Sequence, residues 1–229
     1  MAFVIIRNPK TGGTSVTRYL VEQHKAHKVE PGEKCRPAAF RAALTEHKIL
    51  ICEPEAGRRL HAALTPEERR EHTWVGLMRN PYARFISGWQ FCMQKRWIPF
   101  DSDPLRLLQQ PNAQQWRVWL HCCRPQVNSL YDHNEQKIPS IVLHTETLDE
   151  DFHRLADRME LTGRRGTERT SQMLRHDNKS DHHNWRHYYL EYRELRGVVD
   201  ERMALDINTL PYNFEQDTVL GELPREVVT

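Results

Sequence analysis

The stretch Ile5-Ile6-Arg7-Asn8-Pro9-Lys10-Thr11-Gly12-Gly13-Thr14-Ser15 decides how the rest of the chain is read. Just before and into it, Phe3-Val4-Ile5-Ile6 is a short apolar run of the kind that makes a buried strand. Asn8-Pro9 then signals a turn, followed by two glycines and a Thr-Ser pair. Beyond them Val16, Tyr19 and Leu20 are spaced to share one helix face. Strand, glycine turn and helix start together make an anion cradle. Glycines let the backbone approach a phosphate closely, the free N–H groups of a first helical turn point at it, and the helix dipole favours negative charge there. Lys10 adds a mobile cation, Gly12 and Gly13 supply the turn, and Thr11, Thr14 and Ser15 add hydroxyl donors. The Walker A loop, G-x-x-x-x-G-K-[ST], has its lysine after the glycines. Here the lysine precedes them, so that pattern is not met.

The bulk properties set the frame for this loop. A chain of 229 residues is long enough for one well-cored α/β domain and short for two. Hydrophobic residues at 38% and charged residues at 28% suit a globular protein with a large polar surface. A net charge of +2 is too small to argue for general nucleic-acid binding, though it leaves room for a local basic site. Five cysteines without regular spacing do not form a disulfide framework, and reduced thiols in a cytoplasmic setting are expected. No segment has the apolar length to span a bilayer and no signal peptide precedes the first strand, so a soluble protein, or one trimmed of an N-terminal membrane anchor, is expected.

Further along, residues 24–38 are polar and read as a loop, followed by a short helical stretch from Pro37 to Leu44. Lys48 to Cys52 is a second strand, ending at Glu53-Pro54-Glu55. That puts a carboxylate where a parallel strand meets its loop, the edge at which open α/β sheets collect ligands. Gly57 to Leu64 reads as a helix, and Thr65-Pro66-Glu67-Glu68 as a second helix start. Thr73 to Met78 is a third strand and leads into Arg79-Asn80-Pro81, with Asn80 as N-cap and Pro81 at the first helical position. The next helix aligns Tyr82, Phe85, Ile86, Trp89 and Met93 on one apolar face. Ser87 lies off that stripe, so Arg79 at the strand end and Ser87 two turns up the helix can grip one anion from two sides.

The second half is less explicit. Residues 97–113 read as a loop with a short helix at Leu105 to Gln109. Trp116, Trp119, Leu120 and Cys123 have the helical spacing of a core face. Asn128 to Lys137 reads as a polar loop, Ile138 to Leu143 as a fourth strand, and Leu148, Phe152, Leu155 and Met159 as a helix stripe. A basic loop from Gly163 to Arg169 precedes His176-Asp177-Asn178-Lys179-Ser180-Asp181-His182-His183. His183 and His187 share a helix face, but no cysteine or acid completes a ligand set, so no metal site is assigned. Trp185, Tyr188, Tyr192 and Leu195 mark an amphipathic helix that Gly197 can bend, and helical rhythm continues to Leu210.

Pro9-Lys10-Thr11-Gly12-Gly13-Thr14-Ser15 resembles the 5′-phosphosulfate loop of the sulfotransferases, most closely their carbohydrate and Golgi-type branch. Arg79-Asn80-Pro81-Tyr82-Ala83-Arg84-Phe85-Ile86-Ser87-Gly88-Trp89 resembles the segment in which that superfamily holds the 3′-phosphate of PAPS (3′-phosphoadenosine 5′-phosphosulfate) with an Arg and a Ser. Residues 142–152 and the Asn178-Lys179-Ser180 loop are similar to further family segments, and the resemblance runs from about residue 3 to residue 214.

It implies a single α/β domain over residues 1–214, with a central, mostly parallel sheet of four or five strands, helices on both faces and a tail from 215 to 229. It implies a PAPS-dependent sulfotransferase that sulfates a hydroxyl, or less readily an amine, of a small-molecule or carbohydrate acceptor. PAPS would be the co-substrate and no metal would be required. Lys10 would act in catalysis and, with Thr11, Gly12, Gly13, Thr14 and Ser15, bind the 5′-phosphate. Arg79 and Ser87 would hold the 3′-phosphate, and Lys179 and Ser180 would reach phosphate or acceptor.

Two positions depart from the common pattern. Glu53 stands where many relatives place a histidine base, with Glu55, His47 and His61 as reserves, and Trp89 stands where a tyrosine is common. Loops 24–47, 97–113 and 124–137 are expected to shape the acceptor pocket. The rival readings are a P-loop kinase and a PAPS-binding protein without a working base.

Overall fold

The computed structural model describes residues 1–29, 37–109, 118, 121–161, 174, 184–216 and 219–222. Its strands are β1 (Phe3–Ile6), β2 (His27–Lys28), β3 (Ile49–Cys52), β4 (Thr73–Met78) and β5 (Ile141–His144). They form one sheet in the order β2-β3-β1-β4-β5, and every pairing is parallel. A parallel sheet has helices on both faces, so its inner strands read as unbroken apolar runs. Every residue of β1 and β3 is buried, as that rule requires.

The helices are α1 (Gly13–His24), α2 (Pro37–Glu46), α3 (Pro54–Ala63), α4 (Pro66–Arg70), α5 (Pro81–Gln94), α6 (Pro104–Gln109), α7 (Val127–Leu130), α8 (Leu148–Arg158), α9 (Trp185–Glu191), α10 (Leu195–Arg202) and α11 (Ala204–Thr209). Alternate strand residues face opposite layers. Phe3 and Ile5 pack with Val16 and Leu20 of α1 and with Leu148, Phe152 and Leu155 of α8. Val4 and Ile6 pack with Phe40 and Leu44 of α2 and with Ala56 and Leu60 of α3. A separate core joins the stripe of α5 to α6, α9 and α10. The single α/β domain with a parallel five-strand sheet is therefore the one expected from the sequence.

The strand order positions the site. The connection after β1 leaves toward β2, on one side, and the connection after β4 leaves toward β5, on the other. Where neighbouring strands send their connections in opposite directions, a crevice opens at their carboxyl ends. Here that crevice lies between β1 and β4, whose ends carry Lys10 and Arg79.

Several boundaries differ from the sequence reading. The stretch read as a loop over 24–38 contains β2, a two-residue edge strand too short to show a period. β5 begins at Ile141, not Ile138, because the Ile138 N–H bonds to Leu130 O at 2.8 Å and Tyr131 bridges Lys137 in antiparallel sense. Residues 128–137 are not simply a polar loop, since α7 buries Val127, Ser129 and Leu130. The helix after Asn184 ends at Glu191, with Tyr192 as its C-cap, and Gly197 sits inside α10. The helix start read at Thr65-Pro66-Glu67-Glu68 is there, and Thr65 and Glu68 close it with a capping box. Trp116, Trp119, Leu120 and the segments 163–169 and 176–183 lie outside the described residues. Among the described residues no helix is long and apolar enough to cross a membrane, and the four cysteines there are buried free thiols.

Candidate active site

The loop after β1 is fastened to β4 before it reaches the glycines. Asn8 is buried, and its Nδ2 donates to Leu77 O at 3.0 Å. Thr11 is also buried and donates its hydroxyl to Asn8 O at 2.9 Å, so the side chain read as an anion donor closes the loop instead. Gly12 caps α1 with φ 77°, and a Cβ there would meet Leu148 Cδ2 at 2.4 Å. Only glycine takes that backbone and that approach without strain. Ser15 and Val16 N–H turn back to Gly12 O at 3.1 and 3.4 Å. The amides of Gly13 and Thr14 have no carbonyl within the helix to bond, so the first turn of α1 presents them with its positive dipole end. Thr14 is exposed, and Ser15 is buried.

Lys10 rises from this loop at φ 65°, with Nζ 4.2 Å from the centroid of the Phe91 ring. Burial, then the neighbouring Arg79 guanidinium, bring its ammonium down to about 8. Arg79 directly follows β4 and reaches across the crevice, where Nη1 donates to Lys10 O at 3.3 Å. Burial holds its pKa below the ordinary arginine value, yet a guanidinium starts so high that it remains a cation. The structure thus brings together Lys10, Gly12, Gly13 and Arg79 at one sheet edge. Ser87 lies on the second turn of α5, buried with every residue from Pro81 to Trp89, so it is not a solvated helix residue. Lys179 and Ser180 lie outside the described residues, as does His183.

Glu53 stands beside this loop because β1 and β3 are neighbours, with Ile6 opposite Cys52. It occupies the N-cap position of α3. Its Oε1 accepts from Arg7 Nε at 2.9 Å and also from Arg7 Nη2. This ion pair was not read from the sequence, although Arg7 and Glu53 both follow the paired ends of their strands. The reserve bases are placed elsewhere. Glu55 pairs with Arg59 at 3.0 Å and lies 3.7 Å from Arg124. His47 precedes β3 at the opposite edge of the sheet and stacks on His27 at 4.3 Å. His61 sits in the last turn of α3, about 12 Å along the helix from Glu53 at 1.5 Å per residue. It does not face solvent: it is buried edge-on to Trp74, and burial lowers its pKa to about 4.

Sequence reasoning also missed the groups beneath the loop. Arg84 is fully buried on α5; its Nε donates to Pro9 O at 3.2 Å and its Nη2 to Arg124 O at 2.6 Å. Its Nη1 lies 3.5 Å from Asp206 Oδ2, and Asp206 is equally buried. Burial pushes the Asp206 carboxyl up and the Arg84 guanidinium down, while each partner opposes the other's shift. Arg84 is visible in the sequence as the second cation of the Arg79–Ser87 segment, but Asp206 comes from α11 and no local pattern ties it there. Glu146 follows β5 and accepts from Asn80 N–H and from the Tyr212 hydroxyl, each at 2.8 Å.

The molecule is therefore an α/β domain whose glycine-containing loop between β1 and α1 opens at the switch point of a parallel sheet. A family model described as the sulfotransferase family matches residues 2–213, and the chain belongs to that family. No significant match to it was found among the curated proteins.

Proposed function

We propose that the protein moves a sulfuryl group from PAPS to a hydroxyl, or less readily an amine, of an acceptor. The observation that carries this reading is the meeting of two cations from two loops, Lys10 and Arg79, linked by a single hydrogen bond across the β1–β4 crevice. Two linked grips fit a nucleotide with phosphates on both its 5′ and 3′ sides. The cradle fits as well, since Gly12 takes the left-handed turn against Leu148 that leads into the free first amides of α1, where a phosphate is favoured.

PAPS supplies the sulfuryl group, the acceptor oxygen bonding to sulfur as the bridging S–O bond breaks and 3′-phosphoadenosine 5′-phosphate leaves. Positioning and charge stabilisation carry most of such an in-line transfer. The Gly13 and Thr14 amides hold the 5′-phosphate, with Thr14 and Ser15 at the same helix start. Lys10 leaves the Phe91 ring to neutralise charge on the departing phosphate. Arg79 and Ser87 hold the 3′-phosphate, and Lys179 and Ser180 are assigned to phosphate or acceptor. Glu53 takes the acceptor proton. No step is routed through a metal.

One observation favours a second reading. The Arg7–Glu53 ion pair occupies the base, which is what a PAPS-binding protein without turnover would show. Incubation with PAPS carrying labelled sulfate and a panel of sugar, phenol and amine acceptors separates the two. Labelled product that disappears in Lys10→Ala supports transfer. Binding of PAPS with no labelled product on any acceptor class favours the second reading, and no binding of PAPS at all removes both.

A further inference from the structure

Gln126 is wholly buried and aims its side chain at the backbone of Arg79. Its Oε1 accepts from the Arg79 N–H at 2.9 Å, and its Nε2 donates to the Arg79 carbonyl at 2.9 Å. The second Nε2 proton points to Asp206 Oδ2 at 3.3 Å. This orientation of the amide is the only one that works, because the flipped group would set its oxygen against both a carbonyl and a carboxylate. Asp206 Oδ1 also accepts from the Val127 N–H at 3.0 Å, fixing the residue after Gln126. The Ser129 hydroxyl lies 2.7 Å from Gln126 O and against Asn8 Oδ1, which ties the same turn to the loop after β1.

A side chain that makes both hydrogen bonds to one residue's backbone does the work of a neighbouring strand. β4 ends at Met78, one residue before Arg79, so the sheet no longer holds Arg79 itself. Gln126 continues the pairing by one residue, and the arginine leaves the sheet edge with its backbone set. Its guanidinium then meets Lys10 O across the crevice. The residues around 124–137, expected to shape the acceptor pocket, therefore include a support for the cofactor side of the site.

We infer that Gln126 is a positioning residue for the 3′-phosphate grip: it sets the Arg79 backbone so that the guanidinium meets a phosphate on the 3′ side of the nucleotide. Asp206 in turn fixes Gln126. The inference rests on the nucleotide reading given above and names a residue that reading does not contain.

The test compares 3′-phosphoadenosine 5′-phosphate with AMP, which lacks the 3′-phosphate, by titration calorimetry on the full chain. Gln126→Met keeps about the same volume and removes both hydrogen bonds to Arg79, along with the one to Asp206. It is expected to weaken the bisphosphate on the order of tenfold, as two buried hydrogen bonds warrant, while AMP affinity moves less than about twofold. Combined with Arg79→Ala, the same substitution is expected to have little further effect, because it acts through that arginine. General damage to the fold would weaken both nucleotides together and leave the two substitutions additive, and either result overturns the inference. If Gln126→Met does not fold, Gln126→Ala, which leaves room for a water, takes its place with the same expected loss of selectivity. Wild-type protein that does not prefer the bisphosphate over AMP contradicts the nucleotide reading itself. A wild-type preference that survives intact in the Gln126 variant contradicts only the role of Gln126.

Discussion

Arg79 Nη1 donates a hydrogen bond to the carbonyl oxygen of Lys10 at 3.3 Å, so the cation after β4 braces the loop that carries the cation after β1. The two positive charges share one crevice, and this proximity is one of the causes that lower the Lys10 pKa to about 8. Neither grip is independent of the other.

That coupling has a pH signature. A phosphate dianion needs the ammonium form of Lys10, which is full below about 8 and lost as pH rises through it. Affinity for 3′-phosphoadenosine 5′-phosphate is expected to be level near neutral pH and to fall above about 8. In Arg79→Ala the repulsion is gone, the Lys10 pKa moves back toward its ordinary value, and the fall begins at higher pH. Calorimetric titrations from neutral to alkaline pH give both onsets. An onset unmoved by Arg79→Ala would show that the two side chains do not sense each other.

Arg79→Ala also separates binding from chemistry. The contact proposed for it, with the 3′-phosphate, is a charge-assisted one, worth about 1.5–3 kcal/mol. The loss is expected in apparent cofactor affinity, with turnover at saturating PAPS largely kept, because the 3′-phosphate lies away from the reacting sulfur. Unchanged affinity with reduced turnover would place Arg79 at the reaction instead.

The base is tested by its partner as much as by itself. Glu53→Gln keeps shape and removes charge, so turnover is expected to fall about 10²–10⁴-fold while cofactor affinity holds. Arg7→Met frees the carboxylate from its ion pair and is expected to change turnover, an effect absent when Glu53→Gln is already present. Glu55→Gln is expected to be mild. His61→Ala is expected to lower the melting temperature without a specific loss of turnover, since the ring is buried against Trp74. A collapse of rate in His61→Ala with stability intact would move the base.

Gly12 tests the cradle itself. Its φ of 77° and the 2.4 Å approach of Leu148 Cδ2 to a built Cβ mean that Gly12→Ala suffers twice. The left-handed backbone alone costs about 1–2 kcal/mol, read as a lower melting temperature. Leu148→Ala, by removing the clashing methyl, is expected to recover part of the loss of nucleotide binding but none of the backbone strain. Full binding by the single Gly12→Ala variant would show that the loop does not close on a phosphate there.

Much of the sheet was legible because its strands are short, apolar and punctuated: Phe3–Ile6 runs into Asn8-Pro9, and Thr73–Met78 into Asn80-Pro81. Local capping chemistry was legible for the same reason, as at Asn80, whose side chain accepts from the Tyr82 N–H. β2 was not, since two residues cannot display a period, and it exists through pairing with β3, His27 opposite Leu50 and Lys28 opposite Ile51. The Lys10 loop and Arg79 were visible as motifs, but their contact depends on β1 and β4 being neighbours. Thr11 shows the limit of reading by residue type: its hydroxyl is a donor, but the turn takes it for Asn8 O. Arg7–Glu53, Gln126–Arg79 and Arg84–Asp206 join residues 46, 47 and 122 positions apart, and no local pattern encodes such pairs.

The central claim is that the two grips read one nucleotide with phosphates at both ends. Titration of the wild-type protein with 3′-phosphoadenosine 5′-phosphate, AMP and Mg-ATP under one set of conditions tests it most directly. The bisphosphate is expected to bind at least about tenfold more tightly than AMP, the ratio one charge-assisted contact supplies, and more tightly than Mg-ATP. Equal affinity for AMP, or tightest binding of Mg-ATP, would contradict the account.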